Sequence, residues 1–305
     1  MLWLGLIILL FVLIIIRVPI AFSMAFISII GIAANDVSLL TNVPRNIFSG
    51  VNNFTLVAIP LFILAGEIMA RGGISNRLIE FSKIIVGPIP GGLALVVIVS
   101  SVFFSAITGT AIAAAAAIGG MLIPTMLREG YDQGFTTSLI ATASTIGPII
   151  PPSIVLILYG VIASVSISDL FIAGVLPGVL MAIALAVYSI IIGKKNGYVI
   201  KRDEKVTVKD FFLSLKDAVL ALLMPVIIIG GIISGIFTAT ESGVIAVFYA
   251  LIVSIFVYKE ISLKDFWNVL KSSATTTGGI IFLISSAAIF ILSLIHISEP
   301  TRRTP

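Results

Sequence analysis

The sequence contains no cysteine and a single histidine, His296. A disulfide scaffold is therefore excluded, and zinc or iron–sulfur sites, which are built from thiolates and imidazoles, are strongly disfavoured. Charge is scarce as well, since only 10% of the 305 residues are charged, against roughly 25% in a soluble domain. So few charges cannot cover the surface of a soluble protein whose residues are 59% hydrophobic.

Long apolar stretches dominate the chain, and its mean hydropathy is +1.24. A helix needs about 20 apolar residues to cross a bilayer, and helices satisfy their own backbone groups in lipid. The sequence therefore predicts an all-α polytopic membrane protein. The apolar stretches run over residues 2–16, 18–34, 50–70, 90–127, 133–163, 170–193, 218–237, 241–258 and 278–295.

The basic residues predict the orientation, because cytoplasmic loops are enriched in Lys and Arg. With the N-terminus in the periplasm, 15 basic residues fall on the cytoplasmic side and only Arg45 falls outside. The 15 are Arg17, Arg71, Arg77, Lys83, Arg128, Lys194, Lys195, Lys201, Arg202, Lys205, Lys209, Lys216, Lys259, Lys264 and Lys271. Residues 194–216 are predicted to form a charged cytoplasmic linker. Residues 72–87 are predicted to form an amphipathic helix on the cytoplasmic interface, with a solvated connector as the alternative.

Residues 88–127 are divided near their middle by Thr108-Gly109-Thr110. Two full crossings would be barely long enough, and a water-exposed turn would normally carry a charged residue, Asn or Asp. A re-entrant helical hairpin with its tip inside the protein is predicted instead.

Residues 133–163 are too long for one crossing and too short for two. Their middle contains Pro148, Pro151 and Pro152, and prolines remove backbone donors and clash with the preceding turn. A helix broken at membrane depth, within the element 132–163, is predicted. Such a break is tolerated only where it lines a protein-buried or watery cavity.

Transporters place unwound backbone and half-helix ends at binding sites, where carbonyls can hold Na⁺ and helix N-termini face an anion. Six hydroxyl groups at the hairpin tip and the break add oxygens that suit a hard cation. They belong to Ser105, Thr108, Thr110, Ser144, Thr145 and Ser153. The alternative is that these small residues only allow close helix packing.

Two carboxylates lie near the ends of apolar stretches. Glu67 is either a functional group or the partner of Arg71 in an i,i+4 ion pair. Thr240 is expected to cap the following helix, with Glu241 in its first turn. Enzyme motifs are missing: the sequence has no His-Glu-x-x-His, no Gly-x-Ser-x-Gly and no glycine-rich phosphate loop. The chain is predicted not to be an enzyme and to need no cofactor.

Several motifs, in order along the chain, resemble the large membrane subunit of tripartite ATP-independent periplasmic (TRAP) transporters. They are the run from Ile59 to Ile74, Pro90 to Ala94, Leu223 to Ile228, Gly235 to Glu241 and, most specifically, Ser144-Thr145-Ile146-Gly147-Pro148-Ile149-Ile150-Pro151-Pro152-Ser153. The resemblance runs from about residue 1 to about residue 292.

The resemblance implies an elevator-type, Na⁺-coupled importer of small organic acids, of the C4-dicarboxylate or sugar-acid type, in the bacterial inner membrane. It implies three partners: a periplasmic substrate-binding protein, a small membrane subunit and a small organic anion. It does not imply a nucleic acid. Sodium and substrate binding carry over to Ser105, Thr108, Gly109, Thr110, Ser144, Thr145, Gly147, Pro148, Pro151, Pro152 and Ser153.

The resemblance also implies the domain organisation. Residues 1–87 form N-terminal spans and the interfacial helix, and 88–163 form the transport element of an inverted-repeat fold. Residues 164–216 form a span and the linker, and 217–293 begin the second, inverted half. Residues 294–305 do not resemble the family and are expected to be a non-native tail. Many family members have an acidic residue where this chain has Ala114, so a charged ligand is not expected there.

Two other function classes compete with this interpretation. One is a Na⁺/anion symporter of the same superfamily that needs no binding protein, which neighbouring genes for the partner subunits would disfavour. The other is an intramembrane enzyme or channel-like scaffold, which the missing catalytic residues and missing ring of charged residues disfavour.

Overall fold

The structure, a computed structural model, describes residues 2–35, 37–198 and 207–298. These residues form helices and turns without any β-strand, which confirms the all-α prediction. Two 3₁₀ helices, Val37–Asn42 and Phe54–Val57, accompany the α-helices. In chain order the α-helices are α1 (Leu2–Ile15), α2 (Ile20–Asn35), α3 (Val43–Val51), α4 (Ala58–Arg71), α5 (Ile74–Val86), α6 (Gly92–Thr108), α7 (Ala111–Arg128), α8 (Gln133–Ser144), α9 (Ile154–Ala163), α10 (Ile167–Asn196), α11 (Val208–Ile233), α12 (Ala239–Leu251, continued by a π-helical turn, Ile252–Val257) and α13 (Leu263–Ser298).

The described residues fall into two compact units. The first contains those of 1–54 and 274–305, and its helices pack through apolar contacts. The rings of Phe22 and Phe282 have centroids 4.8 Å apart, while Ile32, Val43 and Ile289 form a small buried cluster.

The second unit contains the described residues of 55–273 and is built around α6. Both faces of α6 are buried along most of its length, because α5, α7, α8 and α10 all pack against it. Helix α12 lies along α4, where Gly243 brings the two helices close: a Cβ there would meet the Leu61 side chain at 2.9 Å. The unit therefore surrounds most of α6 with protein.

Six helical segments of the described residues are long and apolar enough to cross a membrane. They are Phe54–Arg71, Ala111–Arg128, Ile167–Asn196, Lys209–Ile233, Ala239–Val257 and Leu263–Leu294. Shorter apolar helices, α6 and α9 among them, lie between these segments. This arrangement of helices is that of a polytopic membrane protein.

Several predicted boundaries differ from the observed ones. Helix α10 extends to Asn196 and α11 begins at Val208, so both ends of the predicted linker are helical. The long α13 begins well before the predicted apolar stretch 278–295 and includes Lys264 and Lys271. Predicted features in 199–206, including Lys201, Arg202 and Lys205, lie outside the described residues, as does 299–305 of the tail.

Residues 72–87 do form a helix, but its apolar stripe packs against protein. Ile74, Leu78 and Phe81 are buried, and α5 contacts α6 and α11. Protein therefore buries part of the apolar stripe, while Ile85 of the same stripe is exposed. The place of this helix at the cytoplasmic interface stays a prediction.

Two local predictions near the carboxylates have different outcomes. Arg71 Nε lies 3.7 Å from Glu67 Oε2, so the ion pair is confirmed. The predicted cap at Thr240 is wrong, because Thr240 lies inside α12. Thr238 is the cap: Glu241 Oε2 accepts a hydrogen bond from the Thr238 backbone N–H at 2.8 Å, and the Thr238 hydroxyl accepts one from the Glu241 N–H. This reciprocal capping box satisfies two helix-end donors.

Candidate ion and substrate site

The hairpin tip is a tight turn of two residues, Gly109 and Thr110, between α6 and α7. Gly109 has φ 62°, in the left-handed region, and its N–H donates to the Ser105 carbonyl at 2.9 Å to close α6. Thr110 is extended, and its hydroxyl accepts a hydrogen bond from the Ala113 N–H at 3.2 Å. The chain reverses direction here because Gly109 tolerates the left-handed backbone and Thr110 caps the N-terminus of α7.

The predicted helix break is confirmed between α8 and α9. After Ser144 the backbone continues in short turns, in which the Gly147 N–H donates to the Ser144 carbonyl at 3.0 Å. The Pro151–Pro152 peptide bond is cis. Ser153 then starts α9: its hydroxyl accepts from the Leu156 N–H at 3.2 Å and donates to the Pro148 carbonyl at 2.6 Å.

The tip of the hairpin touches the break through backbone. A Cβ added at Gly109 would collide with the Pro152 carbonyl oxygen and lie 3.2 Å from the Ser153 Cα. From the other side, a Cβ at Gly147 would lie 2.9 Å from the Thr110 carbonyl oxygen. The structure thus brings together five of the predicted site residues, and we call this region the tip–break contact.

Helix α4 is a third element at the tip–break contact, and its presence there was not predicted. A Cβ at Gly66 would lie 3.1 Å from the Cα of Thr108, so α4 passes directly beside the end of α6. The available signal was the absence of a side chain at Gly66 in an otherwise apolar helix, which often marks a close helix approach.

The remaining predicted site residues lie around the tip–break contact and differ in how far their side chains are exposed. Ser105 is fully buried one turn before the tip, and its hydroxyl has no hydrogen-bond partner. The Thr108 and Ser144 hydroxyls donate to the carbonyls of Phe104 and Ile140, at 3.2 and 2.7 Å. Thr145 is exposed, and its hydroxyl donates to the Thr142 carbonyl at 2.7 Å. Pro151 is buried and Pro148 half-buried within the break.

The groups available for binding at the tip–break contact are backbone and hydroxyl oxygens and the ends of four helices. The N-termini of α7 and α9 and the C-termini of α6 and α8 meet at the tip–break contact, so partial charges of both signs are close together. Among the described residues, no group of three or more His, Asp or Glu side chains could hold a metal ion. Ala114 is buried in the apolar core.

A separate polar cluster at the α4–α5 turn was missed by sequence reasoning. Arg77 Nη1 lies 2.7 Å from Glu260 Oε1, and its guanidinium carbon lies 3.6 Å from the centre of the Tyr258 ring. Because the partners are 183 positions apart, no local pattern could connect them. Burial raises the pKa of Tyr258. The cluster joins α5 to the end of the π-helical turn and is structural.

The family described as "Tripartite ATP-independent periplasmic transporter, DctM component" matches residues 7–302, so the match extends past residue 292, about where the resemblance above ends. A TRAP transporter large permease protein of Haemophilus influenzae is 44% identical over 274 residues, which are 90% of this chain and 64% of that protein.

Two further relatives have named substrates. The sialic acid TRAP transporter large permease protein SiaM of Vibrio cholerae is 39% identical over 89% of this chain and 63% of its own length. The C4-dicarboxylate TRAP transporter large permease protein DctM of Rhodobacter capsulatus is 34% identical over 86% of this chain and 62% of its own length. The chain thus spans less than two thirds of the length of these relatives. It belongs to the family of TRAP transporter large permease proteins, the DctM component.

Proposed function

We propose that the chain forms the ion- and substrate-binding part of a Na⁺-coupled importer of small organic acids in the bacterial inner membrane. The observation that carries the proposal is the tip–break contact, where two helix interruptions meet backbone to backbone at Gly109 and Gly147. Interrupted helices that meet inside a helical membrane protein are the usual setting for coupling-ion and anion sites.

Sodium is the coupling ion that this chemistry favours. A hard cation is bound by carbonyl and hydroxyl oxygens, which the tip and the break supply without any carboxylate. Ser105 adds a buried hydroxyl that no protein group engages, and a buried polar group without a partner is costly unless something binds it.

Small organic acids are the substrate class that fits the helix ends and the relatives. Sialic acid and C4-dicarboxylates, named for two relatives, both carry carboxylates. The N-termini of α7 and α9 favour negative charge. A C4-dicarboxylate or a sugar acid is therefore proposed, delivered by a periplasmic binding protein to a complex with a small membrane subunit. The predicted orientation, with a periplasmic N-terminus, belongs to the same proposal.

The test is uptake into proteoliposomes that contain the permease bearing this sequence and a small membrane subunit. Radiolabelled sialic acid and succinate are supplied with and without a cognate binding protein. We expect accumulation only with an inward Na⁺ gradient and with the binding protein. Equal accumulation under a K⁺ gradient would contradict Na⁺ coupling, and Na⁺-driven uptake without the binding protein would favour the binding-protein-independent symporter.

A further inference from the structure

The hairpin tip is in close contact with two other elements, helix α4 and the helix break. Gly66 of α4 faces Thr108, the last residue of α6, and a Cβ added at Gly66 would lie 3.1 Å from the Thr108 Cα. The next residue, Gly109, meets the break, because a Cβ there would collide with the Pro152 carbonyl oxygen. Two consecutive residues of the tip are therefore each held close to a different element.

The hydrocarbon part of Thr108 is what meets α4. The three atoms nearest to the Cβ position of Gly66 are the Cα, Cγ2 and Cβ of Thr108, at 3.1, 3.1 and 3.3 Å. The Thr108 hydroxyl donates instead to the Phe104 carbonyl, at 3.2 Å. Contacts this short are closer than ordinary van der Waals contact, so a methyl group at Gly66 requires its neighbours to move by a few tenths of an ångström.

Helix α4 is held on its α12 side and cannot easily be the element that moves. Within the helix, a Cβ at Gly243 of α12 would lie 2.9 Å from the Leu61 side chain. Just past its end, a Cβ at Gly72 would collide with the Ser254 hydroxyl, in the π-helical turn that continues α12. Because close packing transmits a displacement, a methyl group at Gly66 should move the tip.

A movement of this size matters at the tip because a binding site tolerates displacements of only about 0.5 Å. The tip carries oxygen atoms of the proposed Na⁺ site, among them the buried hydroxyls of Ser105 and Thr108. Gly109 follows Thr108 directly, and its contact with Pro152 leaves no room on that side. A shift of Thr108 would therefore change the distances between the oxygens of the tip and those of the break.

We propose that Gly66 is a positioning residue of the ion site: by lacking a side chain, it lets α4 hold the hairpin tip at the distance from the break that Na⁺ binding requires. The inference rests on the Na⁺ coupling proposed above, and it adds α4 to the elements that determine the affinity for the ion. The alternative is a glycine that only allows two helices to pack closely.

Gly66→Ala tests the inference, with Gly243→Ala as the matched control at a close approach to the α12 side of α4. The permease bearing this sequence is assayed for uptake and for thermal unfolding in detergent over a range of Na⁺ concentrations. Gly66→Ala should raise the Na⁺ concentration for half-maximal uptake several-fold, with a nearly unchanged maximal rate. It should also reduce the rise in melting temperature that Na⁺ produces, because weaker binding stabilises less.

Gly243→Ala should change the melting temperature without Na⁺ and leave both Na⁺ measurements as in the wild type. Wild-type Na⁺ dependence in Gly66→Ala would overturn the inference, and so would an equal change in Gly243→Ala, because close packing alone would then explain both.

A Thr108→Ser background identifies the contact responsible. Serine keeps the hydroxyl of Thr108 and removes Cγ2, one of the two atoms nearest to the added methyl group. Gly66→Ala should therefore shift the Na⁺ dependence less in this background than in the wild type. An equal shift in both backgrounds would contradict the contact with Thr108 as the cause. The double variant relieves crowding, so it also serves if Gly66→Ala alone does not accumulate in the membrane.

Hydrogen exchange without Na⁺ separates this inference from the proposed function. The Gly109 N–H donates to the Ser105 carbonyl and the Ala113 N–H to the Thr110 hydroxyl, so both amides report on the tip. They should exchange several-fold faster in Gly66→Ala than in the wild type or Gly243→Ala. Unchanged exchange would refute the positioning role even if uptake depends on Na⁺. Uptake by the wild type that ignores Na⁺ would contradict the proposed function and, with it, the ion-site role of Gly66.

Discussion

Two glycines set how closely the hairpin tip approaches the helix break. Gly109 has a left-handed backbone against the Pro152 carbonyl, and Gly147 lies against the Thr110 carbonyl. In both positions a methyl group would displace backbone rather than a flexible side chain. The tip–break contact is therefore sensitive to substitutions that most surface glycines would tolerate.

The substitution Gly109→Ala should destabilise the protein by about 2 kcal/mol or more, because left-handed backbone alone costs Ala about 1–2 kcal/mol. Gly120→Ala is the matched control: Gly120 lies within α7 with nothing near its Cβ position, so Ala there should stabilise by about 1 kcal/mol. Thermal unfolding in detergent measures both. A similar effect of the two substitutions would contradict the close approach at the tip.

Ser105→Ala separates a cation ligand from a hydroxyl that is merely buried. Removing a buried hydroxyl without a partner should stabilise the Na⁺-free protein, by up to about 1–3 kcal/mol. If Ser105 binds Na⁺, the same change should reduce the rise in melting temperature that Na⁺ produces. Ser101, one turn earlier on α6, is equally buried and also lacks a partner.

Ser101→Ala is therefore the control for Ser105→Ala. It should raise the Na⁺-free stability and leave the Na⁺-dependent shift unchanged. Identical Na⁺ shifts in both variants would remove Ser105 from the proposed ion site.

At the scale of elements, the features that could be predicted from the sequence are those that depend on neighbouring residues alone. Three prolines within a span can only break a helix, and Thr108-Gly109-Thr110 can only turn it, so the hairpin and the broken helix were placed within a few residues. Contacts between residues that are far apart in the sequence were harder to predict. The burial of α5, the Arg77–Glu260 pair and the position of Gly66 depend on which helices become neighbours, and periodicity does not contain that information.

The cap of α12 shows the same limit at short range. Thr238 and Thr240 both precede Glu241, and either could begin a helix. The choice depends on spacing, because only Thr238 stands three residues before Glu241 and can exchange both hydrogen bonds with it. For the proposed ion site, the candidate residues came from the sequence, whereas the structure shows that Ser105 is buried and Thr145 is exposed.

The turn between α7 and α8 predicts a pH dependence of stability. Tyr131 is buried there and stacked on Tyr198 with ring centroids 4.2 Å apart, and burial raises its pKa from 10.0 to about 12. Because the unfolded chain releases this proton more readily, the stabilisation is complete below pH 10 and is lost as the pH rises towards 12.

Tyr131→Phe should flatten that alkaline decline, and chemical denaturation at a series of pH values from neutral to alkaline measures it. Tyr188→Phe, at an exposed tyrosine of α10, should leave the decline unchanged. An alkaline decline of the same steepness in Tyr131→Phe and the wild type would contradict the role of this phenol.

The whole molecule is organised by where its few charges lie. Along α10, the charged residues are at the two ends, with Asp169 in the first turn and Lys194 and Lys195 in the last. Its 30 residues span about 45 Å, enough for the roughly 30 Å hydrocarbon core and both interfaces. One helix thus fixes two points on opposite sides of the membrane.

Single cysteines at the two ends of α10 test the orientation on which the proposed import direction depends. Val165 and Lys195 are both exposed, and neither caps the helix. With the N-terminus in the periplasm, an impermeant thiol reagent applied to intact cells should label Val165→Cys and leave Lys195→Cys unlabelled until the membrane is opened. All the basic residues counted by the positive-inside rule except Arg45 would then lie on one side. Labelling of Lys195→Cys in intact cells would reverse the orientation and place the N-terminus in the cytoplasm.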